Sequence, residues 1–207
     1  MSGTERKDQK ADRVRRVLSV ARRRIPREGY DTVTIESLAA EVGVSPATVY
    51  ADFGTKAGLL LGLVRESDQR LVLRLEGLAD APPPNLREGL ARYGQTVRWH
   101  CLTWLSKATW RQVMAAAVLE GSGEFGRVYR SLDATLERLL ARLLDVYRAR
   151  GGLPPGIEPA ALAAPLFCII NRRFVEFIAD DALTDAEADR LLRGDIDALL
   201  AMCGSLD

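Results

Sequence analysis

The chain has 207 residues, of which 47% are hydrophobic and 28% charged, and its formal net charge is +1. This length and apolar fraction suit one or two domains with a packed core, which excludes disorder as the dominant state. The balanced charge excludes a histone-like composition. Any nucleic-acid binding must therefore come from a local patch of charge.

The cysteines and the apolar runs indicate a soluble, cytoplasmic protein. Cys101, Cys168 and Cys203 form no CxxC pair and lie in apolar helical patterns, so we expect buried, reduced thiols and no zinc site. The N-terminus lacks the apolar segment of a signal peptide. The longest apolar run, residues 160–170, is too short to span a membrane.

Positive charge is concentrated near the N-terminus. Residues 1–56 hold 11 Lys and Arg against 8 Asp and Glu. Seven arginines crowd the first predicted helix: Arg13, Arg15, Arg16, Arg22, Arg23, Arg24 and Arg27. They form either a solvated helix face or a surface that faces phosphates, and composition does not decide between the two.

The first two helices are predicted from apolar spacing and capping residues. An apolar stripe predicts an amphipathic first helix that Pro26 and Gly29 stop; its members are Val14, Val17, Leu18, Ala21 and Ile25. A second helix is predicted over Ile35–Val42, with Thr34 as its N-cap. Gly43 supplies a tight turn with positive φ.

A short third helix follows this turn at once. Ser45 is its predicted N-cap and Pro46 occupies the first helical position, where the missing N–H costs nothing. Phe53-Gly54 ends it, and Thr55 caps a long fourth helix. That helix has core positions Leu59, Leu60, Leu63, Val64, Leu71 and Leu75.

Only helical patterns follow, and the predicted fold class is all-α. The Pro82–Pro84 run is a stiff connector, and Asn85 to Glu88 resembles a capping box. Apolar helical spacing continues through Val118, and Gly121–Gly123 interrupts it. A long amphipathic helix then runs to about Gly151. Two last helices are predicted over about 159–180 and 185–203. The first of them is apolar on nearly all faces, so other helices must pack on all of its faces.

Two short helices joined by a glycine turn are typical of a helix-turn-helix. The run from Gly29 to Tyr50, together with Phe53-Gly54-Thr55-Lys56 and Leu59-Leu60, resembles the TetR family of bacterial transcriptional regulators. This resemblance covers roughly residues 13–64. It implies an N-terminal three-helix DNA-binding domain over 1–56 and a C-terminal helical ligand-binding and dimerisation domain over 57–207.

The resemblance also implies how such a protein acts. Family members bind palindromic operator DNA as homodimers, usually repress transcription, and are released by a small ligand. The positions matching Tyr50 and Lys56 contact the DNA backbone, and Thr34 and Ser45 are further candidates. Base reading would fall to Pro46, Ala47 and Thr48, because these residues open the helix that would enter the major groove.

Two acidic residues depart from an ideal DNA-binding surface. Asp52 lies where the family often has His, and its carboxylate either accepts a hydrogen bond from cytosine or turns inward to pair with an arginine of the first helix. We favour the inward orientation. Glu36 adds no positive charge either. Affinity should then depend on Lys56, on helix N-termini and on the arginines of the first helix.

The body is expected to hold a ligand pocket and a dimer seam. The candidate ligand-binding residues are Trp99, His100, Trp104, Trp110 and Glu120, which favour an apolar or aromatic effector. Tryptophans at helical spacing are more often part of the core, and Glu120 is more typical of a solvated helix end. The last two helices are the candidate seam, since the resemblance implies a four-helix bundle between two copies. Arg172 and Arg173 should reach its edge or pair with acids.

An enzyme is the competing class, and the sequence disfavours it. The chain has one His and no GxSxG, paired-His metal spacing or phosphate-binding glycine loop, so no catalytic residue, metal or cofactor is predicted. A further alternative is a helix-turn-helix regulator whose body binds another protein or no ligand, or which activates transcription.

Overall fold

A computed structural model describes residues 3–153 and 156–204. Its described residues form helices without any strand, which confirms the all-α prediction. In chain order the helices are α1 (Gly3–Glu28), α2 (Ile35–Val42), α3 (Pro46–Phe53), α4 (Lys56–Asp80), α5 (Leu86–Trp104), α6 (Lys107–Leu119), α7 (Glu124–Ala149), α8 (Pro159–Ala179) and α9 (Asp185–Gly204).

Helix α1 is longer at both ends than its apolar stripe. It begins at Gly3, well before the stripe, and it passes through Pro26 to end at Glu28. The predicted stop at Pro26 is therefore wrong: a proline in the last turn removes one backbone hydrogen bond without preventing the remaining two residues from staying helical. Gly29 ends the helix as predicted, and its N–H donates to the Ile25 carbonyl at 2.9 Å.

The segment whose apolar helical spacing continues through Val118 forms two helices. Helix α5 ends at Trp104, and α6 begins at Lys107 after a break. Ser106 is the N-cap of α6, and its Oγ accepts the Thr109 N–H at 3.2 Å. A serine followed by helix formers is itself a start signal, but the apolar spacing continues across the break and conceals it.

The chain divides into two compact units. The first comprises the residues up to Ser67 together with Trp104–Tyr129, and the second comprises Asp68–Thr103 and the residues from Arg130 onward. Helices α1 to α3 pack on one another in the first unit, and α8 packs on α9 in the second. The functional boundary between residues 56 and 57 stays a prediction.

Buried polar bonds fix the core of the second unit. The Tyr93 hydroxyl donates to the Leu136 carbonyl at 2.7 Å, and the Tyr147 hydroxyl donates to the Pro83 carbonyl at 2.8 Å. The second bond fastens the proline connector to α7. Asn85 Oδ1 accepts the Glu88 N–H at 2.9 Å, so the predicted cap of α5 is present.

Helix α8 is covered on one face only by the residues that the structure describes. Leu162, Leu166 and Ile170 are buried, whereas every member of a stripe at heptad-like spacing is exposed: Ala161, Pro165, Cys168, Arg172 and Val175. The expectation of cover on all faces is thus not met within one chain. The predicted acid pairing holds, because Arg172 and Arg173 both bind Glu176.

The three cysteines differ in exposure. Cys101 is buried, Cys203 is half-buried and Cys168 is exposed, and all three are free thiols. The expectation of burial is wrong for Cys168, which lies on the uncovered stripe of α8. No helix among residues 3–153 and 156–204 combines the length and hydropathy needed to cross a bilayer.

Candidate nucleic-acid interface

The turn between α2 and α3 is built by local capping interactions. The Ser37 N–H donates to Thr34 Oγ1 at 3.1 Å, and the Thr34 N–H donates to Ser37 Oγ at 3.3 Å, which closes a capping box. Gly43 has φ of 77°, the left-handed conformation that glycine adopts at low cost. This turn fixes where α3 begins.

Helix α3 presents its N-terminal residues to solvent. Ser45 Oγ accepts the Thr48 N–H at 3.2 Å and lies 2.8 Å from Thr48 Oγ1. Pro46 and Ala47 are exposed, and Thr48 is half-buried. Val49 on the opposite face is fully buried. The helix therefore has one buried side and one free side of the kind that can enter a major groove.

The Tyr50 hydroxyl is already engaged by an acidic neighbour. It donates to Glu36 Oε1 at 3.2 Å, and this bond raises the pKa of the phenol. The Tyr50 side chain is 44% exposed, so the ring remains accessible. Because a phenol carries a single proton, Tyr50 can donate to a DNA phosphate only when it releases Glu36.

Lys56 is held at the N-terminus of α4 by the loop that precedes α2. Its Nζ donates to the Asp31 carbonyl at 3.1 Å and lies 4.4 Å from the centre of the Tyr30 ring. Burial raises the pKa of Tyr30, and the charges of Asp31 and Glu120 raise it further. The amine occupies a fixed position, and an ammonium there can still pair with a phosphate.

The favoured inward orientation of Asp52 agrees with the structure. The Asp52 side chain is 3% exposed and accepts two hydrogen bonds from Arg13, at 2.7 Å from Nε and 3.0 Å from Nη2. The Nζ of Lys10 lies 3.7 Å from the same carboxylate. Asp52 therefore faces α1 and is not available to a cytosine.

Other arginines of α1 are also turned toward the helix-turn-helix. Arg16 donates to the Val42 carbonyl at 2.5 Å, Arg24 donates to Ser37 Oγ at 3.1 Å, and Arg23 pairs with Glu41. Neither of the two predicted roles, solvated face or phosphate-facing surface, describes these contacts. These contacts join α1 to α2.

The candidate ligand-binding residues are divided between the two units. Trp104 and Trp110 are buried in the first unit, where the Arg22 guanidinium lies 4.6 Å from the Trp104 ring centre, and Glu120 is exposed at the end of α6. In the second unit His100 is buried, and Trp99 is 53% exposed beside Arg74. Trp99 lines an open groove of about 470 Å³.

Two carboxyls in the second unit were missed. Burial and the charge of Asp133 raise the pKa of Asp68 to about 7, and burial raises the pKa of Asp133 to about 6. Both acids also raise the pKa of the buried Cys101 thiol, after burial itself. The signal was present, because Asp68 lies between Val64 and Leu71 at the spacing of the apolar stripe of α4.

Comparison with known proteins agrees with this geometry. Residues 17–63 match the family model "Bacterial regulatory proteins, tetR family". The chain is 27% identical over 147 residues to the HTH-type transcriptional repressor ComR of Escherichia coli K12, covering 69% of each chain.

Solved structures share the fold along nearly the whole chain. A TetR-family transcriptional regulator from Pectobacterium atrosepticum superposes with a TM-score of 0.73 at 20% identity, covering 98% of this chain and 97% of that one. FadR from Bacillus subtilis, in complex with stearoyl-CoA, gives 0.65 at 18% identity, covering 90% and 97%.

The capped turn, the outward α3 and the helical body define a helix-turn-helix regulator, a DNA-binding class and not an enzyme. Within that class, residues 17–63 match the DNA-binding segment of the TetR family, and over the rest of the chain the likeness to TetR-family transcriptional regulators is one of fold.

Proposed function

We propose that this regulator is a repressor that binds palindromic operator DNA as a homodimer and is released by a small apolar or aromatic ligand. The observation that carries the DNA-binding part is the free N-terminal side of α3, where Ser45, Pro46 and Ala47 are exposed beyond a capped turn. A helix of eight residues with an exposed N-terminal end fits a major groove.

The proposed contacts follow from where each group lies. Pro46, Ala47 and Thr48 read base edges, and Ala47 suits a thymine methyl group. Four residues contact the phosphate backbone and set the register of the helix: Thr34, Ser45, Tyr50 and Lys56. The DNA-binding domain spans 1–56 and the ligand-binding and dimerisation domain spans 57–207.

The homodimer is proposed to form through α8 and α9. The exposed stripe of α8 is small or apolar at four of its five positions, from Ala161 to Val175, and Met202 of α9 is 69% exposed. An apolar helix face at heptad-like spacing is stabilised by a second helix. Arg173 does not obstruct this face, because it binds Asp195 at 2.6 Å within its own chain.

The dimer is tested with Cys168→Arg, which places a charge in the middle of the stripe. We expect the unaltered protein to sediment at twice the 22.8 kDa chain mass and the variant at the single-chain mass. Leu73→Arg is the matched control, since Leu73 is 68% exposed on α4 and lies outside the stripe. A dimer that survives Cys168→Arg would contradict the proposed seam.

The candidate ligand-binding residues are proposed for each unit by itself: Trp104, Trp110 and Glu120 in the first unit, and Trp99 and His100 in the second. Large aromatic side chains line the sites of many apolar ligands. Support also comes from FadR of Bacillus subtilis, which shares the fold and whose structure contains stearoyl-CoA, a ligand with a long acyl chain.

The experiment that tests the whole proposal begins with selection of DNA. The protein is incubated with duplexes from the promoter regions flanking its own gene, and bound fragments are sequenced. We expect one palindromic sequence to be enriched, with half-sites about 34 Å apart or a multiple of that spacing. Candidate apolar and aromatic compounds are then added, and release requires a coupling of about 1–3 kcal/mol. Enrichment without any palindrome would overturn the proposal, and binding that no compound alters would favour the ligand-independent alternative.

A further inference from the structure

The recognition helix α3 has little apolar anchorage of its own. Among its eight residues only Val49 is fully buried, and the residues that open the helix are exposed. Its N-terminal end is fixed by the turn at Gly43 and by the Ser45 cap. The orientation of its C-terminal end must therefore depend on contacts that the last turn makes with the rest of the first unit.

The strongest polar contact of that last turn is an ion pair with α1. Arg13 approaches both carboxylate oxygens of Asp52, with Nε 2.7 Å from Oδ2 and Nη2 3.0 Å from Oδ1. A guanidinium that binds two oxygens fixes direction as well as distance. The Asp52 side chain is 3% exposed, whereas that of Arg13 is 26% exposed, so the pair lies at the edge of the domain and excludes water from the acid.

Lys10 adds a second cation to the same acid, at 3.7 Å from Oδ1, and is itself 58% exposed. Both cations belong to the early part of α1, and Lys10 and Arg13 precede residues 17–63, which match the family model. The ion pair therefore joins Asp52 of α3 to a part of α1 that lies outside the segment matched by the family model.

We propose that Arg13, assisted by Lys10, is a positioning residue that sets the orientation of α3 through Asp52, so that operator specificity depends on an ion pair that does not touch DNA. The inference rests on the proposed function, because it concerns how α3 reads a sequence. Without this ion pair, α3 would be fixed at its N-terminal end only. It would still contact phosphates, but the positions of its base-reading residues would vary more.

The test uses the full-length protein and two duplexes. One is the sequence that the unaltered protein selects from random DNA, and the other is a shuffled duplex of the same length and composition. The variants are Arg13→Gln, Asp52→Asn and the double variant. Arg15→Gln is the matched control, since it removes the same charge from the same helix, and the ion pair that Arg15 forms among the described residues is with Asp12 of α1 itself.

We expect Arg13→Gln and Asp52→Asn each to weaken binding to the selected duplex about tenfold, the scale of one lost base contact. Because both remove the same pair, the double variant should be no weaker than Arg13→Gln alone. The affinities of Arg13→Gln and Arg15→Gln for the shuffled duplex should fall by the same factor, since each variant loses one positive charge. A purely structural role would lower the melting temperature and leave the ratio of the two affinities unchanged.

Arg13→Lys is a conservative variant that keeps the test possible if Arg13→Gln fails to fold. It keeps the charge but cannot donate from two nitrogens in one plane, so we expect a smaller fall in the affinity ratio with an unchanged circular dichroism spectrum. An affinity ratio unaltered in every variant, or an additive double variant, would overturn the positioning role alone. If the unaltered protein selects no sequence from random DNA, the proposed function fails, and the inference that rests on it fails too.

Discussion

The carboxyl of Asp68 makes the stability of the second unit depend on pH. Its pKa is raised from 3.8 to about 7 by burial and by the neighbouring Asp133, so the folded protein holds a proton that the unfolded chain releases. A raised carboxyl pKa favours the folded state at low pH, and this contribution is lost as pH rises through about 7. Asp68→Asn removes the titration and leaves a neutral group of similar size.

The magnitude follows from the two pKa values. At pH 5 the unfolded Asp68 is already ionised, and at pH 8 the folded one must ionise as well. Each pH unit between pH 5 and the folded pKa of about 7 is worth about 1.4 kcal/mol, and little is added above that pKa. The free energy of unfolding of Asp68→Asn, relative to that of the unaltered protein, should therefore rise by about 2 to 3 kcal/mol between pH 5 and pH 8.

The assay is urea unfolding followed by circular dichroism at several pH values between 5 and 8. Asp8→Asn, which removes an exposed carboxylate from α1, is the control and should follow the unaltered protein throughout. A constant difference between Asp68→Asn and the unaltered protein at all pH values would refute the reasoning. It would mean that the carboxyl is ionised at the same pH in the folded and unfolded states.

Three further predictions concern single side chains. Glu36→Gln should raise the affinity for every duplex about threefold in a fluorescence anisotropy titration, because Tyr50 is freed to donate to phosphate and a negative charge is lost. Adding Tyr50→Phe to this variant should reduce the gain. An unchanged affinity of Glu36→Gln would contradict the idea that Glu36 and a phosphate compete for the Tyr50 hydroxyl. Lys56→Ala should weaken binding to all sequences alike and flatten the salt slope by about one, whereas an unchanged slope would remove Lys56 from the phosphate contacts. Cys101 should stay unmodified when the folded protein is treated with a thiol reagent at pH 8, because burial raises its thiol pKa. The modified cysteines are identified by peptide mass mapping. Rapid labelling of Cys101 would show that α5 opens to solvent around it.

The helix-turn-helix was predictable because its signals are local. Thr34, Gly43, Ser45 and Pro46 each specify a backbone conformation within a few residues, and α2 and α3 have the predicted bounds. The break between α5 and α6 was not found, because apolar spacing continues across Ser106 and dominates a weak cap signal. Local chemistry therefore predicted where helices start better than apolar periodicity predicted where they stop.

The sequence predicted that Asp52 turns inward to an arginine of the first helix, but it could not identify which arginine, because the partners of an ion pair are set by their proximity in space. Arg13 and Asp52 are 39 residues apart, and no spacing rule relates them. Asp68 illustrates the complementary case: its place on an apolar stripe marks a buried acid, but the effect of Asp133 on its pKa depends on how α7 packs near α4.

The arginines of α1 change how the electrostatics of DNA binding are understood. Four of them contact groups of α2 and α3, namely Arg13, Arg16, Arg23 and Arg24. A guanidinium engaged with a carboxylate contributes little net field at a nearby phosphate, because the pair is neutral as a whole. This argument applies to Arg13, Arg23 and Arg24, whereas Arg16 binds the neutral Val42 carbonyl and keeps its net charge. The prediction that affinity depends on the arginines of α1, on Lys56 and on helix N-termini stays a prediction, and we expect Lys56 and the N-termini of α2 and α3 to contribute more than the arginines that pair with acids. Sequence preference should then depend more on the fixed orientation of α3 than on the number of positive charges around it.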